Sequence, residues 1–399
     1  MSQIFPRRVA IVHDWFDKPG GAERVLHELI VCFPDADLFA VVDMLSDDDR
    51  SIVCDKVVKT TFIQKLPGAR KHFRRYLPLM PLAIEQMDMS QYDLVISSSW
   101  AVAKGVITGP DQLHVAYVHT PIRYAWDQQH DYLRLGQLDR GLKSAFARLA
   151  LHWLRLWDIR TANNVDVWLA NSSNVARRIR KTYGKHARVL HPPVRIQDFT
   201  FTAEKAEYYF TCSRLVQYKR IDLLVDAFLS RPRSELVVAG DGPELAALKE
   251  RARRASNIHF LGRKTDGDVR ELLRNARAFV FAANEDFGIA PIEAQACGTP
   301  VIAFGRGGAL ETVRGLGSER PTGCFFEEQT AASIVEAIER FESLAVPIDP
   351  EDCRENATKF RSELFREQLH DIVGRHWLDF GGTVPSNSQP DALVPSLRQ

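Results

Sequence analysis

The chain has 399 residues and a formal net charge of +1, with 45% hydrophobic and 26% charged residues. This is the composition of an ordinary soluble protein, and the length exceeds what one hydrophobic core usually supports, so we expect two domains. The small net charge excludes a general attraction to nucleic acid, and the 6 scattered cysteines, which form no CxxC pair, disfavour a zinc site and a disulfide framework.

The first predicted unit is a strand, a glycine turn and a helix. An apolar run over residues 8–12 predicts a buried strand, and apolar residues at helical spacing follow Gly20 and Gly21. Such a unit can hold a phosphate group at the N-terminus of its helix. The GxGxxG fingerprint of dinucleotide-binding proteins is absent. A tight turn that requires glycine is therefore the alternative.

Apolar runs in the rest of the first half predict strands over residues 36–42, 94–97 and 114–118. Helical or irregular segments separate them, and this alternation predicts a doubly wound parallel sheet. His119 directly follows the last of these strands, at the carboxyl end where such sheets bind ligands. A structural hydrogen-bonding role is the alternative for this histidine.

Two segments of the first half, residues 69–86 and residues 140–160, combine basic and aromatic side chains. On an amphipathic helix, this combination suits an anionic membrane surface. Helices packed on the sheet with solvated arginines are the alternative for both segments. No apolar stretch approaches the about 18 residues needed to span a membrane. We therefore expect a cytoplasmic protein, at most bound peripherally to the inner face of the cytoplasmic membrane.

The second half of the chain repeats the scheme of strand, loop and helix. Paired prolines at residues 192–193 suit a rigid connection, and we place the domain boundary near residue 200. A predicted strand then ends at Thr211, and the following loop carries Arg214 and Lys219. These cations suit a pyrophosphate, because guanidinium binds phosphate oxygens in a fork and ammonium acts as a point charge. Solvated loop charges are the alternative.

Two carboxylates stand out near the end of the second predicted sheet. Residues 278–304 predict a strand, a polar loop, a helix and another strand. Glu285 lies in the loop at the carboxyl end of the first strand, and Glu293 lies in the first turn of the helix. Both can therefore face one crevice, where open α/β sheets bind ligands. Without this context, two solvated acids would be the default interpretation.

Between these carboxylates, Phe287, Gly288 and Ile289 leave backbone amides exposed near a helix N-terminus, which is an anion site. Seven residues separate the two glutamates, and the helix is followed by GTPVIA. This pattern resembles the donor-site signature of family 4 glycosyltransferases with the GT-B fold. The resemblance extends over residues 8–377.

The resemblance implies an α/β fold in which two Rossmann-like domains, each with a doubly wound parallel sheet, face a central cleft. We expect residues 1–199 to form an acceptor-binding domain and residues 200–364 to bind the nucleotide sugar. Residues 365–380 are expected to form a helix that returns to the first domain. Residues 381–399 contain prolines, serines and few apolar residues, which predicts a disordered tail.

The resemblance also implies roles for the candidate residues. As catalytic residues, Arg214 and Lys219 would hold the donor diphosphate and stabilise the leaving group. Glu285 would contact the donor sugar, and His119 would lie near the transferred sugar. The other expected donor-binding residues are Gly20, Gly21, Gly240, Gly262, Phe287, Gly288, Ile289 and Glu293, the last through the ribose. The family reaction retains the anomeric configuration, and we expect no metal and no cofactor besides the donor.

The stretches VAYVHTPIRYAWD and ANSSNVARRI add a resemblance to bacterial mannosyltransferases that build O-antigen and exopolysaccharide. It implies GDP-mannose as the donor and a polyprenyl-diphosphate-linked saccharide as the acceptor. A UDP-hexose donor, a sugar-nucleotide epimerase and a non-catalytic nucleotide-sugar-binding partner are the alternatives. Two Asp-x-Asp strings, at residues 35–37 and 266–268, match the metal motif of the other common transferase fold, and we interpret both as chance matches.

Overall fold

The computed structural model describes residues 6–18, 20–136, 138 and 140–381. Within these residues the strands form two parallel sheets, one of seven strands and one of six. The predicted α/β fold with two Rossmann-like domains is confirmed. Apart from Gly381, the predicted tail lies outside the described residues. None of the described helices combines the length and the apolarity that a membrane crossing would require.

The first sheet contains β1 (Val9–His13), β2 (Asp37–Ala40), β3 (Val58–Thr60), β4 (Leu94–Ser99), β5 (Leu113–Val118), β6 (Val167–Ala170) and β7 (Arg188–Val189). Their order across the sheet is β3-β2-β1-β4-β5-β6-β7, and neighbouring strands are parallel. The central strands are apolar along most of their length because both faces of the sheet are covered. The short edge strands β3 and β7 lack this signal, and the sequence did not predict them.

The helices of the first domain are α1 (Gly21–Cys32), α2 (Ala69–His72), α3 (Met80–Glu85), α4 (Gln129–Leu135), α5 (Gly141–Thr161) and α6 (Ser173–Tyr183). The prediction of one amphipathic helix over residues 69–86 is wrong. That segment consists of α2, a 3-10 segment over Phe73–Leu79, and α3. Pro78 and Pro81 cause the break, since proline lacks a backbone N–H and restricts the preceding residue.

The second sheet contains β8 (Tyr209–Cys212), β9 (Leu236–Ala239), β10 (Ile258–Gly262), β11 (Ala278–Phe281), β12 (Val301–Phe304) and β13 (Gly323–Phe326). Their order is β10-β9-β8-β11-β12-β13, again with parallel neighbours. The helices that follow are α7 (Ile221–Leu229), α8 (Leu245–Arg251), α9 (Asp266–Asn275), α10 (Ile289–Ala296), α11 (Ala309–Thr312), α12 (Ala331–Glu342), α13 (Pro350–Thr358) and α14 (Ser362–Asp379).

The chain crosses between the domains twice, and the two crossings pair with each other. The backbone N–H of Val194 donates to the carbonyl of Phe360 at 2.7 Å, and Val194 forms a β-bridge with Arg361. This pairing separates α13 from α14. After the second crossing, α14 buries Phe365 and Leu369 in the core of the first domain.

The strand order positions the site. In each sheet the order reverses beside the first strand, between β1 and β4 in the first domain and between β8 and β11 in the second. Open parallel sheets bind ligands in the crevice outside the carboxyl ends of their strands at such a reversal. His13 and Ser98 lie at this point of the first sheet, and the loops after Cys212 and Phe281 lie at this point of the second.

Candidate active site

A cleft of about 1270 Å³ lies between the two domains and is lined by residues of both. Most of the residues singled out in the sequence line it: Gly20, Gly21, His119, Arg214, Lys219, Gly240, Glu285, Phe287, Gly288, Ile289 and Glu293. Gly262 is not among the lining residues. Its carbonyl instead accepts the backbone N–H of Gly240 at 2.8 Å, while the neighbouring Arg263 and Lys264 line the cleft.

Lys219 and Glu285 form an ion pair in the second domain's part of the cleft. Lys219 lies in the loop between β8 and α7, and Glu285 follows β11, so the two loops flank the reversal of strand order. Burial lowers the pKa of Lys219 to about 8, and the nearby Cys212 acts in the opposite direction. A cation and a carboxylate therefore lie together at the carboxyl edge of this sheet.

Three further cations line the same part of the cleft without a counter-ion. The side chains of Arg214, Arg263 and Lys264 make no hydrogen bond or ion pair with the residues that the structure describes, while all three residues line the cleft. Unpaired guanidinium and ammonium groups in a concave site attract an anion and can bind phosphate oxygens directly. This half of the cleft is thus suited to a diphosphate.

The loop between β11 and α10 is held in a defined conformation. Gly288 precedes α10 with a φ of +87°, which only glycine adopts readily. The backbone N–H of Gly308 donates to the carbonyl of Glu285 at 2.9 Å. Phe287 stacks on His191 of the domain connection, with the ring centroids 5.3 Å apart. The loop therefore presents the N-terminus of α10 toward the cleft at a fixed position.

Glu293 forms an ion pair with Arg24 of the first domain. Arg24 lies in the first turn of α1, directly after the predicted glycine turn, and the Glu293 carboxylate raises its pKa. A Cβ on Gly21 would lie 3.1 Å from Cδ1 of Ile289, so the domains are also in close contact here. Arg24 was not predicted as a site residue, although its place three residues after Gly21 was a usable signal.

A second set of contacts across the cleft involves Asp286. Its carboxylate lies 3.1 Å from Nε of Arg178 and accepts the side-chain amide of Asn174 at 2.9 Å. Glu311 of the second domain accepts the backbone N–H of Ser173 at 2.9 Å, at the N-terminus of α6. The loop after β11 and the helix α11 are therefore linked to the first domain by several charged contacts. None of these partners was predicted from the sequence.

In the first domain, His119 belongs to a chain of hydrogen-bonding groups. Its Nε2 lies 2.8 Å from Oγ of Ser98, and the same Oγ lies 3.1 Å from Nδ1 of His13. Burial, together with the nearby His13, lowers the pKa of His119 to about 3, so its imidazole is neutral near pH 7. Neutral imidazole offers one donor and one acceptor nitrogen, which suits a contact to a sugar hydroxyl.

Asp14, which the sequence analysis did not single out, shapes the wall of this pocket. Its buried carboxylate accepts the backbone N–H groups of residues 100–103, with distances between 2.5 and 2.9 Å. Burial raises the pKa of Asp14, and the N–H donors oppose that rise. These bonds fix Trp100, which lines the cleft and contacts His119 edge-on at 5.7 Å. Asp14 is thus a positioning residue.

Over the described residues, no group of three or more His, Cys, Asp or Glu side chains is arranged to hold a metal ion. Asp37 begins β2, at the end of the sheet opposite the cleft, and pairs with Lys59. Asp268 completes a capping box with Thr265 at the start of α9. Asp266 lines the cleft near Arg24. Asp37 of the first Asp-x-Asp string thus lies away from the cleft, whereas the second string lies at the start of a helix beside the cleft.

Two facing Rossmann-like domains, with a cationic cleft between them, define a protein of the GT-B class. A family model described as Glycosyltransferase Family 4 matches residues 19–198, and a model described as Glycosyl transferases group 1 matches residues 195–360. The chain belongs to the family 4 glycosyltransferases, which confirms the resemblance found in the sequence.

Curated relatives include two mannosyltransferases. A GDP-mannose-dependent monoacylated alpha-(1-6)-phosphatidylinositol monomannoside mannosyltransferase of Corynebacterium glutamicum is 33% identical over 183 residues, 39% of this chain and 48% of the relative. The lipopolysaccharide core biosynthesis mannosyltransferase LpsB of Rhizobium meliloti is 34% identical over 152 residues, 35% of this chain and 42% of the relative. The matched part of the chain thus spans less than half the length of either relative.

Solved structures share the whole fold. The crystal structure of HepE from Anabaena, in complex with UDP and glucose, has a TM-score of 0.66 and 17% sequence identity. The alignment covers 91% of this chain and 98% of that chain. At this identity the likeness supports the fold.

Proposed function

We propose that the protein is a retaining glycosyltransferase that moves a hexose from a nucleotide sugar to a saccharide acceptor. The observation that carries this proposal is the convergence of Lys219, Arg214, Glu285 and Glu293 on one interdomain cleft. Cations for a diphosphate and carboxylates for hydroxyl groups are the groups that a nucleotide-sugar site requires. The family to which the chain belongs supports the same reaction class.

In the proposed reaction, the bond between the sugar C1 and the diphosphate oxygen breaks, and a bond from C1 to an acceptor hydroxyl oxygen forms on the same face. The acceptor proton passes to the departing phosphate. Arg214 and Lys219 stabilise the negative charge that grows on the leaving diphosphate, which is electrostatic stabilisation of the transition state. Glu285 and His119 bind hydroxyl groups of the sugar, and Glu293 binds the ribose.

The donor that we propose is GDP-mannose. The motif resemblance to bacterial mannosyltransferases supports it, as do the names of the two mannosyltransferase relatives, one of which is GDP-mannose-dependent. A UDP-hexose is the second candidate, because HepE, which shares the fold, was solved with UDP and glucose. The acceptor that we propose is a polyprenyl-diphosphate-linked saccharide of a bacterial surface polysaccharide such as O-antigen.

Purified protein incubated with bacterial lipid extract and with radiolabelled GDP-mannose, UDP-glucose or UDP-galactose tests the donor. We expect transfer of label from GDP-mannose into the lipid fraction. If label were incorporated only from a UDP-hexose, the proposed donor would be wrong, but the proposed reaction class would remain.

Two rival functions give different results in the same assay. An epimerase would convert a UDP-sugar without any acceptor. A non-catalytic nucleotide-sugar-binding partner would bind donor without turnover, and polymer synthesis in cells would survive Glu285→Ala together with Lys219→Ala. The Lys219–Glu285 ion pair within the cleft favours the enzyme, since both groups stand where a donor diphosphate and sugar would lie.

A further inference from the structure

Several strongly exposed apolar side chains of the first domain lie along one helix, α5. Leu142 is 81% exposed, Phe146 is 72% exposed and Leu149 is 65% exposed. Trp153 and Leu156 are exposed as well. These five residues follow each other at steps of four and three, so they form one stripe along the helix. The helix buries other residues, Leu154, Trp157 and Asp158, against the domain.

This arrangement is the reverse of an ordinary surface helix. A helix packed on a sheet turns its apolar stripe inward and its charged residues outward. Contiguous apolar surface that stays in contact with water marks an interaction site. The stripe of α5, defined by Leu142, Phe146, Leu149, Trp153 and Leu156, therefore requires a partner.

The charges beside the stripe decide which partner fits. From Arg140 to Trp157 the sequence contains no Asp or Glu, and Lys143 and Arg148 are exposed on the two flanks of the stripe. A second copy of α5 would place these cations against each other, and like charges across an interface are unfavourable. An anionic surface complements them, and tryptophan favours the boundary between headgroups and acyl chains.

The second basic segment adjoins the same helix. Glu85, the last residue of α3, accepts the indole N–H of Trp157 at 2.7 Å and pairs with Arg160. In that segment Leu79 and Leu82 are exposed, and so are the basic residues Arg70, Lys71, Arg74 and Arg75. The fold thus brings together two segments that are far apart in the sequence.

We propose that α5, with the adjoining residues 70–85, docks the protein on an anionic lipid bilayer, with the α5 stripe inserted among the acyl chains. Arg155 on α5 donates to the carbonyl of Ala125 at 2.9 Å and contacts Gln129, next to the cleft-lining Gln128. Docking would therefore hold the first domain's side of the cleft close to the bilayer. The inference deepens the proposed function, because it names the surface on which a lipid-linked acceptor is met.

Co-sedimentation of the full chain with vesicles tests the proposal without donor, acceptor or turnover, so its failure is distinct from failure of the proposed function. One vesicle type is phosphatidylcholine and the other contains phosphatidylglycerol as well. We expect binding to the second type, weakened at high salt. Phe146→Ser with Leu149→Ser should lower the affinity at least about tenfold, because a buried apolar side chain contributes roughly that factor.

The matched control is Val346→Ser with Leu378→Ser, which removes two exposed apolar side chains outside the proposed face. It should leave vesicle binding unchanged. Lys143→Gln with Arg148→Gln should remove the preference for anionic vesicles, and unchanged thermal unfolding would show that these variants are folded. Equal loss in the control, or binding that ignores lipid charge, overturns the proposal. So does a wild-type chain that ignores vesicles and forms dimers that the Phe146→Ser/Leu149→Ser variant does not form.

Discussion

The hydroxyl of Ser98 lies 2.8 Å from Nε2 of His119, and it connects that histidine to His13, whose Nδ1 lies 3.1 Å away. The Glu23 carboxylate is 3.7 Å from Nε2 of His13, which favours a proton on that nitrogen. Nδ1 of His13 then accepts the Ser98 proton, and the Ser98 oxygen accepts Nε2–H of His119. We therefore expect Nδ1 of His119 to be an acceptor for a substrate hydroxyl.

Ser98→Ala removes the group that orients His119. We expect kcat to fall about fivefold to tenfold, because one net hydrogen bond contributes roughly 1 kcal/mol, while the KM for the donor stays near the wild-type value. Steady-state kinetics with the donor found in the incorporation assay measures both. Ser97→Ala is the matched control, since the Ser97 hydroxyl contacts His114, a buried histidine that does not line the cleft. Equal losses in the two variants would contradict the role of Ser98.

Substitutions of the two cleft carboxylates, Glu285 and Glu293, should have different effects. Glu285→Gln should lower kcat about a hundredfold, as loss of one preorganised polar contact at a transition state does, with the Kd for nucleotide nearly unchanged. Glu293→Gln should raise the Kd about tenfold, because the charged hydrogen bond that we propose between Glu293 and the ribose is lost. Isothermal titration with GDP and UDP, beside turnover measurements, separates the two effects.

Arg24→Gln is the control for Glu293, because it breaks the same ion pair and keeps the carboxylate. If Glu293 binds the ribose, Arg24→Gln leaves the nucleotide Kd within about threefold of wild type, a change below 1 kcal/mol. If the ion pair between the domains is what matters, both variants weaken binding to the same extent, and the division of roles between Glu285 and Glu293 is wrong.

The activity should depend on pH through Lys219. Burial lowers the pKa of Lys219 to about 8 from its ordinary 10.5, so the ammonium that we propose to stabilise the leaving group loses its charge as the pH rises through that value. We expect kcat/KM to fall above about pH 8 in the wild type. Lys219→Arg should abolish this limb, since guanidinium stays charged. If kcat/KM of Lys219→Arg falls above about pH 8 as in the wild type, the fall is caused by the titration of another group.

Much of the fold follows from local pattern. Buried central strands such as β5 and β12 are unbroken apolar runs, so their positions were readable, whereas β3 and β7 at the sheet edge carry few apolar residues. Pro78 interrupts the helical pattern over residues 69–86, and the pairing of Val194 with Arg361 separates α13 from α14. The first cause is local and visible in the sequence. The second depends on two segments meeting in space, which a pattern along the chain does not show.

The residues of the candidate site can also be divided into those that the sequence predicts and those that it does not. Arg214, Lys219 and Glu285 follow strands, and position at a strand's carboxyl end is a sequence-level signal. Their partners across the cleft, Arg24 with Glu293 and Arg178 with Asp286, depend on the relative position of two domains. The exposure of the α5 stripe could not be predicted either. An amphipathic pattern shows that a helix has two different faces, but it does not show which face packs against the protein.

The buried ion pair between Lys104 and Asp158 should dominate the stability of α5. The Lys104 ammonium lies 2.5 Å from the Asp158 carboxylate, which also accepts the indole N–H of Trp126 at 2.8 Å and the hydroxyl of Tyr183 at 2.9 Å. Lys104→Met leaves a buried carboxylate without its cation, so we expect a loss of about 3–5 kcal/mol in the free energy of unfolding in urea.

Two further variants separate this charge effect from side-chain size. Lys104→Met with Asp158→Leu removes both charges and should recover part of the loss, although Trp126 and Tyr183 then lack their acceptor. Lys59→Met breaks an ion pair with Asp37 in which both side chains are about half exposed, so the unfolding free energy should change by less than about 1 kcal/mol. If Lys104→Met costs no more than Lys59→Met, the buried pair does not hold α5 on the domain, and the orientation of its apolar stripe must depend on the packing of Leu154 and Trp157 alone.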